Sequence, residues 1–199
     1  MSLLDVGCGW GPLLRYLDTK PHFDRLRISA ADMCDVALYR KELYEDYFIG
    51  DLTGGYPEIP TAHYDIVVCE QVLEHLDRLD TAFDTLVRVL RPGGTLVIGV
   101  PIFPPPLHLA RKHLVPLLPA FLRPDDSTHE QAFSMRSFLR ELRRRPELTV
   151  LKVRGFRIVS GGLLRRLENY RWWWRFNRRL GELFPAACIE VQIIARKGG

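Results

Sequence analysis

Residues 3–12 read Leu3-Leu4-Asp5-Val6-Gly7-Cys8-Gly9-Trp10-Gly11-Pro12, an apolar run followed by three alternating glycines and a proline. An apolar run that ends at glycine predicts a strand, and proline is favoured in the first turn of a helix. The stretch therefore predicts a strand, a glycine loop and a helix that carries Leu13, Leu14 and Leu17. A loop of this kind lets a nucleotide approach the backbone N–H groups at a helix N-terminus.

The spacing of the glycines restricts the choice of nucleotide. Dinucleotide-binding loops follow the pattern Gly-x-Gly-x-x-Gly, and Pro12 stands here at the position of the third glycine. The loop is therefore typical of nucleotide binding, but its pattern disfavours NAD as the ligand.

Strands and helices alternate along the rest of the chain. Apolar patterning predicts strands over 26–30, 47–49, 64–69, 95–100, 148–156 and 188–196, and helices over 36–43, 79–90 and 134–145. Strands separated by helices of this size form β-α-β crossovers, which give a mostly parallel sheet with helices on both faces. We therefore expect one doubly wound α/β domain over residues 1–199, with a proline-rich insertion or lid over 101–133 after the fifth strand.

Composition excludes several classes of protein. The 199 residues are 47% hydrophobic and 26% charged, with a mean hydropathy of −0.07, which excludes a disordered, collagen-like or membrane-spanning chain. The sequence shows no secretory leader, and its four cysteines lack the spacing of a metal site. Reduced thiols and a cytoplasmic location are therefore expected.

Acidic side chains follow three of the predicted strands. Asp32 comes about 20 residues after the glycine loop, where a carboxylate can accept hydrogen bonds from both hydroxyls of a ribose. Asp51 and Glu70 end the next two strands. The carboxyl ends of parallel strands meet at one edge of the sheet, so these acids and the glycine loop are expected to converge on one crevice.

Four motifs, in order, resemble those of class I S-adenosylmethionine (SAM) methyltransferases. They are Leu4-Asp5-Val6-Gly7-Cys8-Gly9-Trp10-Gly11, then Gly50-Asp51-Leu52, then Tyr64-Asp65-Ile66-Val67-Val68-Cys69-Glu70-Gln71-Val72-Leu73-Glu74-His75-Leu76, and last Arg88-Val89-Leu90-Arg91-Pro92-Gly93-Gly94-Thr95-Leu96. The match is most similar to the subgroup with ubiquinone-pathway O-methyltransferases and many small-molecule enzymes. The resemblance implies a seven-stranded sheet whose last strand, 188–196, is antiparallel.

The resemblance also implies roles for individual residues. The glycines would pass beneath the methionine part of SAM, Asp32 would hold the ribose, and Asp51 with Leu52 would flank the adenine. Glu70 and Gln71 would line the side of the methyl donor. The SAM-binding residues implied in this way are Asp5, Gly7, Cys8, Gly9, Gly11, Asp32, Met33, Asp51, Leu52, Glu70 and Gln71.

Two departures from the family pattern affect the expected site. Relatives usually carry helices before the first motif, whereas this sequence starts with its first strand at Ser2. Either the pocket is open, the insertion or a second subunit in a homodimer covers it, or the chain is a truncated product. Some relatives bind a divalent metal through Glu-x-x-Glu-His, but Gln71 replaces the first glutamate here, and we expect no metal.

Two histidines are the candidate catalytic residues. Methyl transfer from a sulfonium needs a general base when the accepting atom arrives protonated, as in a phenol or hydroxyl. His75 follows the fourth strand, and His129 follows the insertion. A capping or packing role is the alternative for each. The expected acceptor is a small or lipid-like molecule, methylated at oxygen, with nitrogen or carbon left open.

The charge of the chain is divided unevenly. Residues 1–133 carry 12 basic and 19 acidic side chains, a net −7, whereas 134–184 carry 14 and 4, a net +10. Within 163–184 a helical stripe of six side chains is predicted to pack on the sheet: Leu163, Leu167, Tyr170, Trp174, Leu180 and Phe184. The arginines and tryptophans outside it suit a solvated face with a lid over the substrate, a membrane surface, or, as an alternative function, RNA in an RNA methyltransferase. A non-catalytic interaction module with the SAM fold is a further alternative.

Overall fold

The structure is a computed structural model that describes residues 1–102, 131, 133–158, 166–167 and 169–199. Its seven strands are β1 (Ser2–Val6), β2 (Arg27–Asp32), β3 (Tyr44–Ile49), β4 (Tyr64–Glu70), β5 (Leu90–Pro101), β6 (Leu148–Phe156) and β7 (Glu190–Lys197). Its α-helices within the described residues are α1 (Pro12–Leu17), α2 (Leu79–Val89), α3 (Met135–Arg143) and α4 (Arg171–Leu183).

The strands form one sheet in the order β3-β2-β1-β4-β5-β7-β6. β1 pairs in parallel with β2 and β4, and the parallel pairing continues to β3 on one side and β5 on the other. β7 pairs antiparallel with both β5 and β6. The strand order reverses between β1 and β4, which is the point where open α/β sheets bind their ligands. The predicted sheet with an antiparallel last strand is confirmed.

Two apolar layers cover the faces of the sheet. On one face α2 and α3 pack through Phe83 and Phe138, both fully buried, against strand residues that include Leu96. On the other face α1 packs through Leu14 against Leu3 and its neighbours. Full burial of each such side chain stabilises the fold by about 1.5–3 kcal/mol. In the described part of the chain no helix is both long and apolar enough to cross a bilayer.

The helix predicted over 36–43 is wrong. A single 3-10 turn, Lys41–Leu43, is present there, and the preceding Arg40 has a left-handed backbone with φ of 46°. Two backbone amides of this segment are engaged by distant residues: Val36 N–H donates to the Tyr47 hydroxyl and Tyr39 N–H donates to the carbonyl of Trp10. These long-range bonds replace the local ones.

Two predicted strand boundaries also differ. β3 begins at Tyr44 rather than at 47, and β5 begins at Leu90 and runs through Pro92-Gly93-Gly94. The register between β4 and β5 shifts between Tyr64 and Ile66, so the extra residues are accommodated as an irregularity within the ladder. The predicted insertion over 101–133 lies almost entirely outside the described residues.

The face of α4 that packs on the sheet differs from the predicted stripe. Trp173, Asn177 and Gly181 are buried, whereas the predicted Tyr170, Trp174 and Phe184 are 55%, 49% and 59% exposed. Leu163 lies outside the described residues. The helix turns this face towards the sheet because its backbone at Gly181 lies very close to β6. A Cβ on Gly181 would overlap the backbone carbonyl oxygen of Gly155 in β6.

We expect Gly181→Ala to lower the free energy of unfolding by at least about 1 kcal/mol, because the added methyl group forces α4 away from β6. Helix propensity alone predicts the opposite sign, a gain of about 1 kcal/mol. Urea unfolding measures the difference. Gly54→Ala is the control, since nothing lies within 4 Å of its Cβ position. A stabilised Gly181→Ala protein would contradict the close packing of α4.

Candidate cofactor-binding site

A cavity of about 590 Å³ opens at the carboxyl ends of β1, β2, β3 and β4. This volume lies within the range of small-molecule sites in proteins. Fifteen residues line it: Val6, Gly7, Gly9, Asp32, Met33, Gly50, Asp51, Leu52, Thr53, Tyr56, Gln71, Val72, His75, Leu76 and Asp77. Of the predicted crevice, the glycine loop, Asp32 and Asp51 line this one cavity, whereas Glu70 does not.

The glycine loop forms one wall of this cavity. Gly7 has φ of 71°, and a Cβ there would overlap the side chain of Val72, so the position requires glycine. Gly9 has φ of 50°, and nothing lies within 4 Å of its Cβ position. The backbone at Gly9 is therefore open to a ligand that approaches from the cavity.

Asp32 ties the loop to the end of β2. Its Oδ2 accepts a hydrogen bond from the Gly9 N–H at 2.9 Å, and its Oδ1 accepts one from the Cys34 N–H at 3.3 Å. The side chain is half-buried and lines the cavity. It combines a structural contact with a position from which ligand hydroxyls can be reached.

Asp51 has a similar double position at the end of β3. Its Oδ1 accepts a hydrogen bond from the Thr53 N–H at 2.8 Å and so caps the 3-10 turn Leu52–Gly54. Leu52 and Tyr56 behind it are buried, and the Tyr56 hydroxyl donates to the carbonyl of Gly50. This side of the cavity therefore has an apolar floor beneath an exposed carboxylate, an arrangement that suits a flat heterocycle joined to a polar sugar.

His75 also lines the cavity and belongs to the 3-10 turn Leu73–His75 after β4. Its Nε2 is 3.8 Å from Oε1 of Glu74. Glu74 is 1% exposed, and burial raises the pKa of its carboxyl group. Glu74 also accepts a backbone hydrogen bond from the Gln131 N–H at 2.9 Å, which connects this turn to the residues before α3.

Two further carboxyl groups lie close together beneath the loop. Asp5 in β1 is 6% exposed, and burial, with the nearby charges of Glu70 and Asp32, raises its pKa to about 7. Burial also raises the pKa of Glu70, which accepts a hydrogen bond of 2.7 Å from Nε2 of Gln192 in β7. Several carboxyl groups held near one cavity favour a ligand that carries positive charge.

The predicted SAM-binding residues divide into two groups. Gly7, Gly9, Asp32, Met33, Asp51, Leu52, Gln71 and the candidate base His75 line the cavity. Asp5, Cys8, Gly11 and Glu70 do not line it. Asp5 and Cys8 are buried below the loop, Gly11 packs against Tyr39 and Tyr44, and Glu70 lies over Gly99 towards β7. His129 lies outside the described residues.

Seven lining residues were not among the predicted site residues: Val6, Gly50, Thr53, Tyr56, Val72, Leu76 and Asp77. Four of them lie within the quoted motifs, and Thr53 and Asp77 adjoin those motifs, so the motif positions were a usable signal for six of the seven. Tyr56 lies in a glycine- and proline-rich loop, where no periodicity predicts its burial. Among the described residues no group of three His, Cys, Asp or Glu side chains is placed to hold a metal ion.

The amino-acid sequence of the chain is similar to those of known methyltransferases. Residues 4–98 match the family model described as "Methyltransferase domain". A malonyl-[acyl-carrier protein] O-methyltransferase of Serratia marcescens is 31% identical over 136 residues, which cover 66% of this chain and 48% of that protein. A malonyl-[acyl-carrier protein] O-methyltransferase of Enterobacter lignolyticus is 28% identical over 138 residues, which cover 69% of this chain and 50% of that protein. The chain thus spans about half the length of the curated relatives it matches.

Solved structures agree on the fold. A SAM-dependent methyltransferase from Archaeoglobus fulgidus superposes with a TM-score of 0.60 at 16% identity, covering 98% of this chain and 86% of that one. A Burkholderia thailandensis 1,6-didemethyltoxoflavin-N1-methyltransferase, with 1,6-didemethyltoxoflavin and S-adenosylhomocysteine bound, superposes with a TM-score of 0.61 at 15% identity. The superposition covers 100% of this chain and 71% of that one. The chain has the class I methyltransferase fold, and residues 4–98 are similar to a methyltransferase domain. SAM is the methyl donor of the enzymes that it resembles.

The cavity of this chain fits SAM in its chemistry. The open backbone at Gly9 leaves room beside the loop, and carboxylates at the ends of two adjacent strands can accept hydrogen bonds from a ribose. The carboxylates of Asp32 and Asp51, which line the cavity, are compatible with the positive charge of SAM. The residues present therefore match the three parts of the donor.

We expect the raised pKa of Asp5 to make folding pH-dependent. Because the folded state retains this proton from pH 3.8, the ordinary pKa of an aspartate, up to about pH 7, the free energy of unfolding falls as the pH rises through that window. Asp5→Asn should remove this pH-dependent loss of stability and so stabilise the free domain at pH 8 by up to about 4 kcal/mol. Thermal unfolding from pH 4 to pH 8 measures the effect.

The control for this prediction is Asp24→Asn, which changes an exposed carboxylate on the turn after α1. Its pH profile of melting temperature should follow that of the unchanged protein. If Asp5→Asn followed it as well, the account of Asp5 as a carboxyl group that is costly to ionise in the folded domain would be wrong.

Proposed function

We propose that this chain transfers the methyl group of SAM to an oxygen atom of a small-molecule or lipid-like acceptor. One observation carries the proposal: the glycine loop, Asp32, Asp51 and His75 surround a single cavity of about 590 Å³. The family match over residues 4–98 supports the reaction class. The names of the two curated relatives, both O-methyltransferases, support oxygen as the accepting atom.

The donor would be held by residues from three strand ends. Asp32 accepts hydrogen bonds from the ribose hydroxyls, while Leu52 and Tyr56 contact the adenine with the carboxylate of Asp51 beside it. The loop at Gly9 lets the methionine part approach the backbone. The carboxyl groups of Asp5 and Glu70 favour a positively charged ligand through their charge rather than by direct contact.

The transfer itself requires alignment more than activation. SAM supplies a methyl group on a positively charged sulfur, which is already a good leaving group. The protein has to hold the accepting atom in line with that methyl group, and such alignment can lower a barrier by about 7–11 kcal/mol. Gln71 and His75 line the cavity and are not assigned to the donor in this arrangement, so the acceptor would enter beside them.

His75 would remove a proton from a hydroxyl acceptor. It lines the cavity, and Glu74 beside it is buried and carries a carboxyl oxygen, Oε2, that makes no hydrogen bond within the described residues. An ionised Glu74 would stabilise the imidazolium formed when His75 takes the proton. A carboxylate acceptor, in contrast, arrives without a proton at neutral pH and needs no base.

We expect Asp32→Ala to weaken SAM binding about 10- to 100-fold, since hydrogen bonds to a charged group contribute about 1.5–3 kcal/mol. Titration calorimetry with SAM and S-adenosylhomocysteine measures the affinity. Asp32→Asn keeps an acceptor for the Gly9 N–H, so it separates loss of the ribose contact from collapse of the loop. Asp24→Ala is the exposed control. No binding heat in the unchanged protein would contradict the function and favour a non-catalytic module.

We expect His75→Gln to lower kcat for hydroxyl acceptors by about 10²–10⁴-fold while leaving the SAM affinity within about twofold. Transfer of a labelled methyl group to a panel of phenols, alcohols and carboxylates, including malonyl thioesters, provides the measurement. Carboxylate acceptors should lose far less. His63→Gln, at the opposite end of β4, is the control. An equal loss on every acceptor class would show that His75 is not a base.

A further inference from the structure

Helix α4 is fixed to the sheet along a narrow strip of its surface. Within its 13 residues the buried positions are Trp173, Asn177 and Gly181, each four residues after the last. The helix spans about 20 Å. Most of its remaining side chains are exposed, including four large apolar ones and four arginines. An ordinary surface helix of a globular domain shows the reverse balance, with apolar side chains inward.

Three of the four large exposed apolar side chains form a row along one side of the helix. Trp172, Phe176 and Leu183 are 57%, 44% and 70% exposed, and their spacing of four and seven places them on the same side. Trp174 is also exposed but lies on nearly the opposite side of the helix by its spacing. Contiguous exposed apolar surface of this kind marks an interaction site.

The arginines of the helix adjoin this row. Arg171, Arg175 and Arg178 follow one another at intervals of four and three on the neighbouring side, and Arg179 lies within the apolar row itself by its spacing from Phe176. All four are exposed, and the structure shows no ion pair for any of them within the described residues. Glu182 is the sole acidic residue of the helix.

We propose that α4 binds an anionic lipid surface, lying parallel to it with the apolar row inserted and the arginines at the headgroups. A helix that lies in the interface has one apolar side and a basic polar side, with tryptophan or phenylalanine on the apolar side. The long arginine stems let the guanidinium groups reach phosphate while the neighbouring rings are inserted. This surface extends beyond the proposed methyl transfer and does not depend on it.

The composition of the row favours lipid over nucleic acid. Aromatic rings can stack on unpaired bases, and arginines can contact phosphates in either case. The aliphatic Leu183 has no ring with which to stack, but it gains from entering an apolar layer. A row that ends in an aliphatic side chain therefore fits acyl chains better than bases.

Charge also disfavours a second copy of the chain as the occupant. A twofold contact through this side of α4 would bring the arginine row of one copy against that of the other. Like charges placed together at an interface weaken it, and Glu182 offers one compensating carboxylate for four arginines. The negative charge of an anionic surface, in contrast, is complementary to the arginines along the whole length of α4.

The test is co-sedimentation of the full chain with phosphatidylcholine vesicles that contain or lack phosphatidylglycerol. We expect binding to the anionic vesicles that weakens as salt is raised, and little binding to the neutral ones. Arg171→Gln/Arg175→Gln/Arg178→Gln should lower the partition coefficient by the order of 100-fold, at about fivefold per arginine. Phe176→Ser/Leu183→Ser should lower it as well, with no change in charge.

The chain offers a matched control on α3. Arg136, Arg140 and Arg143 have the same spacing of four and three, are exposed, and have no aromatic row beside them. Arg136→Gln/Arg140→Gln/Arg143→Gln removes the same three charges and should change vesicle binding by less than about threefold. Far-ultraviolet circular dichroism and SAM titration of each variant establish that the fold and the cofactor site are retained.

Three results would overturn the proposal. The first is absence of binding to anionic vesicles at low salt, and the second is an equal loss in the α3 control. The third is a different occupant, which would appear as tight binding to a single-stranded RNA oligonucleotide without vesicle binding. A dimer in sedimentation equilibrium that Phe176→Ser/Leu183→Ser converts to monomer, again without vesicle binding, would identify a second copy in the same way.

Discussion

The hydrogen bond from the Gly9 N–H to the Asp32 carboxylate, at 2.9 Å, is the contact on which the site depends. It joins the loop after β1 to the end of β2 and so determines the shape of the cavity wall that this loop forms. The carbonyl of Ala31 reinforces the joint by accepting from the N–H groups of Gly7 and Cys8 at 2.8 and 3.2 Å. The loop can reach these partners because Gly7 is left-handed and has no Cβ to meet Val72.

The same arrangement carries an electrostatic cost. Asp5 and Glu70 are placed in surroundings that raise their pKa values, so the free domain stabilises their protonated forms. A bound sulfonium would favour the ionised forms instead, and cofactor binding and ionisation would then support each other. Acidic groups that weaken the empty fold while assisting ligand binding are typical of functional sites.

Much of the fold could be predicted from the sequence because parallel strands leave clear local signals. Buried runs such as Tyr64–Cys69 and the glycines after Val6 identify strand ends, and the ends of parallel strands meet at one edge. That geometry brought Asp32 and Asp51 to the same cavity without any knowledge of their contacts. The same reasoning placed His75 near them, since it follows β4.

The features that were missed depend on contacts between distant residues. Residues 36–43 have a helical pattern, but the Tyr47 hydroxyl and the Trp10 carbonyl take their backbone amides. The rotation of α4 is decided by the approach of Gly181 to Gly155, so Trp173 is buried in place of Trp174. Neither partner lies within a turn of helix of the residue it affects, and local periodicity carries no information about them.

The central claim is that one cavity, bounded by the Gly9 loop and the ends of β2 and β3, holds the methyl donor. A crystal structure of the chain grown with S-adenosylhomocysteine tests it most directly. The account predicts the ribose beside Asp32, the adenine between Leu52 and Asp51, and the sulfur facing the wall that carries His75. Density for the ligand at any other place on the sheet, with this cavity empty, would contradict it.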